Sequence, residues 1–303
     1  MIPPDSRIAA PPPSIARRLA GALYRHPRVR LAGLLAAPLG WLVVAYIGAL
    51  FLFLLTSIWS VDSFSGNLIT TPTIQNYLDV ITGDVYRTIA LRTLLMAAAV
   101  TLTTIVLAFP IAFYMAKLAS ARTRGILVVS ILLPLWSGYL VKVYAWRLIL
   151  NTTGVLNGVL APFGLHGPGF GLVAVWLVET YLWLPYMIIP IFAGLERVPG
   201  SLLEASADLG GRSFVTFRRV VLPLVLPAVV AGSIFTFSLT LGDYITPNLV
   251  SDAGSGRFIG TVIYDFLGVA GNQPFAAAYA MVPVAIMVVY LLVARRLGAF
   301  EAL

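Results

Sequence analysis

The sequence of 303 residues contains no cysteine and only two histidines. The lack of cysteine excludes disulfides, thiolate nucleophiles and cysteine-ligated metal sites. Because His26 and His166 lie far apart in the sequence, a metal site built from histidines is not expected either. Charged residues are also scarce, at 11% of the chain against about 25% in an average soluble domain. This scarcity excludes a disordered chain, which would be rich in charge.

Apolar residues make up most of the sequence. They account for 59% of it, and the mean hydropathy is +0.93. A soluble domain could not keep so apolar a surface in water. A helix needs about 20 apolar residues to cross the bilayer core, and no alternation over about ten residues, typical of a membrane barrel, is visible. The sequence therefore predicts an all-α membrane protein with six transmembrane helices, at about 34–57, 93–116, 126–150, 170–195, 220–245 and 275–294.

The basic residues predict the direction in which these spans cross. Fifteen of the 20 lysines and arginines precede the first span, follow the sixth, or lie in the loops after the second and fourth. Only Arg87, Arg92 and Arg257 lie in the other loops, and Lys142 and Arg147 fall inside a span. Because basic residues concentrate on the cytoplasmic side, we expect both termini to be cytoplasmic.

The first 30 residues contain clustered arginines and the run Pro11-Pro12-Pro13. They predict a basic, disordered cytoplasmic tail against anionic headgroups, followed by a transmembrane domain at 31–303. A cleavable signal peptide is the alternative. The first apolar run is longer than the core of such a peptide, about 7–15 residues, which favours a retained anchor.

The inner loop at 196–219, between the fourth and fifth spans, carries the most informative pattern. Ser201 precedes Glu204 by three residues, which predicts a capping box at the start of a helix. Gly210 predicts a left-handed stop about two turns later. One face of this helix is formed by Leu202, Leu203, Ser206 and Leu209. A helix so short is unstable in isolation, so we expect it to dock on its own bundle or on another protein.

The same loop resembles a known family. The run Glu204-Ala205-Ser206, three residues, Gly210, nine residues and Val220-Val221-Leu222-Pro223 is similar to the "EAA" loop of permease subunits of type I ABC importers. That pattern is Glu-Ala-Ala, three residues, Gly, nine residues and Ile-x-Leu-Pro, so the sequence departs from it at Ser206 and Val220. The resemblance implies that the ATPase-coupling residues are Ser201, Glu204, Ala205, Ser206, Gly210, Leu222 and Pro223.

The resemblance also implies a fold and a set of partners. The fold would be that of a type I ABC importer permease in the bacterial inner membrane. A second homologous permease, expected to be a different chain, would complete the pore. A dimer of cytoplasmic ABC ATPases would grip the loop, and a periplasmic binding protein would deliver the substrate. Because the sequence contains no Gly-x-x-x-x-Gly-Lys-Ser/Thr loop, we expect ATP to be bound and hydrolysed by the ATPase. For this chain we expect no enzymatic activity, cofactor, metal or nucleic acid.

Three further stretches, at 137–144, 183–186 and 241–247, are most similar to permeases of spermidine/putrescine-type systems. They imply a polyamine substrate, and other small cations or opine-like amino compounds stay open. An ion-coupled secondary transporter is an alternative from another class, but it predicts paired repeats around a midplane site. An intramembrane enzyme is a third, but it needs clustered catalytic side chains. Neither feature is visible in the sequence.

Ionisable residues inside spans are candidates for the substrate pathway, because each costs about 2.5–3.5 kcal/mol to insert. Glu179 in the fourth span and Asp243 near the outer end of the fifth could attract a cation. Aromatic rings that could offer cation–π contacts to it are Tyr181, Trp183, Tyr186 and Tyr244. The structural alternatives are an ion pair between Glu179 and Lys142, and a helix-end contact of Asp243 with Arg147 or a loop amide.

Overall fold

The computed structural model describes residues 24, 27–62, 65–252, 254 and 256–296, which are mostly helical. They fall into two units, Met1–Thr56 and Ser57–Leu303. The predicted disordered tail at 1–30 lies outside the described residues, except for Tyr24 and the first residues of a helix that begins at Pro27.

The first unit is one long apolar helix. It consists of α1 (Pro27–Leu42), a π-helical turn (Val43–Gly48) and α2 (Ala49–Thr56). Its apolar stretch is long enough to cross a membrane, and none of that stretch is buried within the chain. A helix that is apolar on all sides needs lipid or protein around it. This unit therefore agrees with the first predicted span.

The second unit begins with a small hairpin and an amphipathic helix. Strands β1 (Ser60–Val61) and β2 (Leu68–Ile69) pair antiparallel. Helix α3 (Gln75–Thr82) follows, and the side chain of Asn76 donates hydrogen bonds to the carbonyls of Ser57 and Trp59, at 3.0 and 2.7 Å. These bonds hold α3 against the chain that precedes the hairpin.

The remaining helices follow in the order in which the spans were predicted. They are α4 (Asp84–Phe113), α5 (Ala121–Trp136), α6 (Tyr139–Leu150), α7 (Val155–Leu160), α8 (Leu172–Glu196), α9 (Gly200–Asp208), α10 (Ser213–Thr216), α11 (Leu222–Gly242), α12 (Ile245–Val250), α13 (Ile259–Leu267) and α14 (Gln273–Arg296). Two π-helical turns, Tyr114–Leu118 and Phe217–Val221, extend α4 and join α10 to α11.

The core lies where α4, α8 and α11 pack on one another. Ala97, Ala108 and Ala112 of α4 are fully buried. A Cβ added at Gly194 of α8 would lie 2.6 Å from the Cβ of Ala228 on α11. Small residues of this kind let membrane helices approach closely. Van der Waals packing between the helices then drives their association, because lipid supplies no hydrophobic driving force for it.

The third predicted span is broken. Helix α5 and the segment Tyr139–Phe163, which begins with α6, are bent by 94° relative to each other, so the expectation of one continuous helix at 126–150 is wrong. Pro134 lacks an amide hydrogen and weakens the last turn of α5. Ser137, in extended conformation, then donates its hydroxyl to the Pro134 carbonyl at 2.9 Å, which ends the helix. Within the described residues, five helices are long and apolar enough to cross a membrane, and the bent pair would be a sixth span.

A second break ends the fifth span, which the membrane-length helical segment Ser213–Gly242 otherwise confirms. Helix α11 ends at Gly242 rather than at 245, Asp243 has an extended backbone, and α12 begins at Ile245. As described below, this break and the one at Ser137 are joined by side-chain hydrogen bonds.

Candidate functional site

The inner-loop helix α9 starts differently from the sequence-based expectation. Its N-cap is Pro199, no side chain caps it, and Ser201 lies inside the helix, so the predicted capping box with Glu204 does not form. The chain enters α9 from the buried Val198, whose carbonyl accepts a 2.6 Å hydrogen bond from the Lys117 ammonium. That contact and the extended backbone of Pro199 set the helix start before Ser201.

The end of α9 agrees with the sequence. Gly210 has a φ of +75°, the left-handed conformation that glycine adopts without strain. The Gly211 amide donates to the Ser206 carbonyl at 2.8 Å, and the Gly210 amide to the Ala207 carbonyl at 2.9 Å. This pair of bonds is a Schellman motif, and it turns the chain sharply toward α10.

The predicted face of α9 is divided between the bundle and the surface. Leu203 packs against the core, and the Ser206 hydroxyl lies 2.7 Å from that of Thr216. Leu209, in contrast, is 89% exposed, and Phe214 in α10 is 70% exposed. Glu204 and Ala205 are exposed beside them. Apolar side chains rimmed by acidic ones form the kind of surface that a protein partner covers.

Leu222 and Pro223 begin α11 directly after the π-helical turn. Pro223 follows the π-helical turn within the continuous helical segment Ser213–Gly242, and it has no amide hydrogen to donate to the preceding turn. These two residues therefore lie at the point where the loop becomes the fifth span, and they belong to α11 rather than to α9.

Arg124 joins the root of the loop to the preceding span, a contact that the sequence analysis missed. Its guanidinium donates to the carbonyls of Met115 and Ala116, at 3.0 and 3.3 Å, and lies 3.2 Å from a carboxylate oxygen of Glu196. The carbonyls at the end of one helix and the carboxylate at the end of another are thus held by one cation. The position of Arg124 in the loop after the second predicted span indicated a basic residue near helix ends. That position did not indicate which carbonyl groups or carboxylate it would contact.

Glu179 lies in the middle of α8 and is 1% exposed. Its Oε2 has no hydrogen-bond partner among the described residues. The structure shows no ion pair between Glu179 and Lys142 within its described residues, so that structural alternative is not supported. A buried carboxylate without a partner is costly, and it is an unusual group to find in a membrane-spanning helix.

Asp243 has a structural role at the second helix break. Its Oδ1 accepts from the amides of Ile245 and Thr246, at 2.8 and 3.2 Å, and so caps α12. The alternative of a loop-amide contact is therefore confirmed for Asp243, whereas no ion pair with Arg147 is present in the described part of the chain.

Tyr139, the first residue of α6, connects the two breaks. Its hydroxyl donates to Asp243 Oδ2 at 2.5 Å and lies 2.8 Å from the Thr246 hydroxyl. Its ring stacks on that of Trp183, with ring centroids 5.7 Å apart and planes 10° apart. The sequence analysis did not single out Tyr139, although its position after Ser137-Gly138 placed it in a stretch similar to polyamine permeases.

One face of α8 completes this cluster. Glu179, Trp183 and Tyr186 lie at positions i, i+4 and i+7 and so share a helix face. The rings of Trp183 and Tyr186 are 6.0 Å apart, and Trp183 Nε1 also lacks a partner among the described residues. The carboxylates of Glu179 and Asp243 are close enough to interact electrostatically. The cluster therefore combines negative charge, aromatic faces and unsatisfied polar atoms.

Two of the predicted pathway residues lie elsewhere. Tyr181 packs on Trp146 with ring centroids 5.4 Å apart and is 40% exposed. Tyr244 stacks on Tyr264 at 4.8 Å and is 37% exposed. Neither ring joins the Glu179 face of α8. Among the described residues, no group of three or more histidine, aspartate or glutamate side chains could hold a metal ion.

Residues 97–299 match the family model of binding-protein-dependent transport system inner membrane components. The chain belongs to this family of ABC transporter permeases. The match spans the helix breaks, the Glu179 cluster and the inner loop. The permease is thus a non-enzymatic transport subunit and a multi-pass protein of the inner membrane.

Two permeases of Escherichia coli are similar to this chain in sequence. It is 42% identical over 301 residues to the inner membrane ABC transporter permease protein YdcU of Escherichia coli (strain K12), covering 94% of this chain and 95% of that protein. It is 30% identical over 261 residues to the spermidine/putrescine transport system permease protein PotB of the same strain, covering 84% and 92%.

Solved structures agree on the fold. A crystal structure of a bacterial ABC transporter that imports the acidic polysaccharide alginate matches with a TM-score of 0.73 and 15% identity, covering 93% of this chain and 98% of that one. A structure of a bacterial alginate transporter with its pentasaccharide-bound periplasmic protein matches with a TM-score of 0.69 and 16% identity, covering 93% and 97%. The permease therefore has the type I ABC importer fold.

Proposed function

We propose that this permease forms one half of the pore of an ATP-driven importer for a small organic cation, with a polyamine such as spermidine or putrescine as the substrate. The observation that carries the proposal is the buried Glu179 carboxylate, whose Oε2 lacks a partner on the face of α8 that also presents Trp183. The 30% identity to PotB supports the polyamine class.

The chemistry of the cluster favours a cation. A buried carboxylate gains most from a positive partner that also donates hydrogen bonds, which a primary ammonium does. The aromatic faces of Trp183 and Tyr186 add cation–π attraction, which is stronger where the cation is desolvated. The site is closed around Glu179 in this conformation, so substrate passage requires the helices around the two breaks to move.

We propose that α9 is the lever by which partners drive this movement. A cytoplasmic ABC ATPase dimer would hold the exposed surface of α9 that includes Glu204 and Leu209, with Gly210 keeping the turn behind it rigid. A second, different permease chain would complete the pore, and a periplasmic binding protein would present the substrate on the opposite side. The excess of basic residues in the loops on the α9 side supports cytoplasmic termini. ATP would be bound by the ATPase alone.

A different small solute is the second candidate. Asp243 is committed to Tyr139 and to the amides that begin α12, so Glu179 is the carboxylate of the pair with an unpartnered oxygen. A substrate with a single amino group, such as an opine or another amino compound, fits such a site as well as a polyamine does. An ion-coupled secondary transporter has no comparable support, because the chain belongs to a binding-protein-dependent family.

Uptake into proteoliposomes that contain the permease, its partner subunits, the binding protein and ATP tests this proposal. We expect uptake of labelled putrescine or spermidine, and a decrease of about tenfold or more for Glu179→Gln, because a hydrogen bond to a charged group is worth about 1.5–3 kcal/mol. Asp265→Asn, in α13, is the matched control and should leave uptake unchanged. Unchanged uptake by the Glu179 variant would overturn the role of this residue. Transport of a neutral or anionic solute instead would overturn the cationic substrate.

A further inference from the structure

An apolar groove of about 550 Å³ runs along the first half of α4, where the start of α8 lies beside it. The α4 residues that line it recur every three or four positions and so form one stripe of the helix. The main apolar contributors from the two helices are Leu91, Leu95, Ala99, Val173 and Trp176. Ala99 leaves room between the larger side chains. The Trp176 ring is fixed at the deep end by a 3.1 Å hydrogen bond to the Thr103 hydroxyl.

A polar cavity of about 330 Å³ adjoins the groove. Thr88 and Arg92 line both spaces, so the two lie side by side. The polar cavity is also lined by Arg257 and Asp84, and Asp84 is 3.5 Å from the guanidinium of Arg87. Neither Arg92 nor Arg257 forms an ion pair among the described residues. Within the described part of the chain, two guanidinium groups outside any ion pair thus lie beside an apolar groove, Arg92 in its lining and Arg257 in the adjoining cavity.

The depth of Arg92 matches the headgroup layer of a bilayer. Arg92 and Lys117 are 25 residues apart on a continuous helical span, which corresponds to about 38 Å at 1.5 Å per residue. The hydrocarbon core is about 30 Å thick, and about 40–45 Å with the headgroup regions. If Lys117 lies at one interface, Arg92 therefore lies at the other, and the groove below it lies at the depth of the acyl chains.

We propose that this surface binds one anionic phospholipid. Its phosphate would lie between the guanidinium groups of Arg92 and Arg257, and one acyl chain would fill the groove between α4 and α8. Guanidinium groups bind phosphate oxygens through paired, charge-assisted hydrogen bonds. An apolar groove beside them suits a ligand that carries both a negative headgroup and a hydrocarbon chain. A polyamine is positively charged and does not fit this description. The site is separate from Glu179 and does not depend on the transported solute.

Native mass spectrometry of the full-length chain, equilibrated with phosphatidylglycerol or phosphatidylcholine, tests the proposal. We expect one retained phosphatidylglycerol per chain and markedly less phosphatidylcholine. Arg92→Gln and Arg257→Gln should each lower the retention of phosphatidylglycerol by about fivefold, since a basic residue near an anionic headgroup is worth about 1 kcal/mol. Arg147→Gln is the matched control, because Arg147 is exposed and lines neither the groove nor the polar cavity, and it should leave retention unchanged.

A second variant tests the groove independently of the charges. Ala99 is exposed on the groove side of α4, so Ala99→Phe should fill the groove without disturbing the core. It should displace phosphatidylglycerol while both arginines remain in place. Equal retention of the two lipids, or unchanged retention in both arginine variants, would overturn the proposal. So would arginine variants that weaken binding of the periplasmic protein but not of lipid, because the arginine pair would then be a docking site for an acidic protein surface.

Discussion

The hydroxyl of Tyr139 donates a 2.5 Å hydrogen bond to the carboxylate of Asp243 across 104 residues of sequence. Both residues lie where a membrane-spanning segment leaves the helical conformation. Irregular backbone at membrane depth is tolerated only where protein or a water-filled cavity surrounds it. The bond therefore holds together the two interruptions that lie beside Glu179, and it positions Tyr139 against Trp183.

Removal of this hydroxyl should loosen both breaks. In Tyr139→Phe the ring can still stack on Trp183, but Asp243 Oδ2 loses its donor. We expect a loss of about 1–3 kcal/mol in stability, the cost of a buried polar group without its partner, and reduced transport. Thermal unfolding of the detergent-solubilised permease measures the first effect. Tyr144→Phe, on the same helix but 47% exposed, should show no change. Equal unfolding temperatures for the two variants would contradict the role of the bond.

Replacement of Gly210 should strain the end of α9. Gly210→Ala places a Cβ at a φ of +75°, which costs about 1–2 kcal/mol for a residue other than glycine. We expect weaker coupling, measured as transport per ATP hydrolysed in the assembled transporter. Gly200→Ala is the control, since a Cβ there meets nothing within 4 Å and alanine favours a helix. A Gly210 variant with the coupling of the wild type would show that the turn is not required.

Cysteine labelling can determine on which side of the membrane the inner loop lies, because the natural chain has no cysteine. When cells produce the permease without the ATPase, Leu209→Cys should react with a membrane-impermeant maleimide only in inverted vesicles. Val269→Cys, which is 88% exposed in the predicted outer connection, should react only in right-side-out vesicles. The two side chains are almost equally exposed, so a difference in labelling reports sidedness. The opposite pattern would reverse the proposed orientation and remove α9 from reach of the ATPase.

Arg124 should stabilise the root of the loop. Arg124→Gln removes the cation that joins the carbonyls of Met115 and Ala116 to Glu196. Because its side chain is 37% exposed, we expect a modest loss, about 1 kcal/mol, together with reduced transport. Arg122→Gln changes the same chemistry two residues away, on an exposed position. If both variants unfold at the same temperature, the bridge contributes no stability.

Local patterns predicted much of the fold but little of the buried site. Long apolar runs identified the first, second, fourth, fifth and sixth spans, and Gly210 was recognised because a left-handed stop depends on one residue. The break at Ser137 was missed because Pro134 lies in an apolar run like prolines elsewhere that only kink a helix. The capping box was predicted wrongly because Lys117, far away in the sequence, helps to set where α9 begins.

The sequence by itself determined that the chain is a membrane permease, since composition, apolar run lengths and the pattern around Glu204 are all local properties. Only the tertiary structure decided that Asp243 caps a helix while an oxygen of Glu179 stays without a partner. The Asp243 carboxylate is hydrogen-bonded because it contacts Tyr139 at one helix break and the first amides of α12 at the other. No spacing along the chain encodes such contacts, because they depend on how three helices pack.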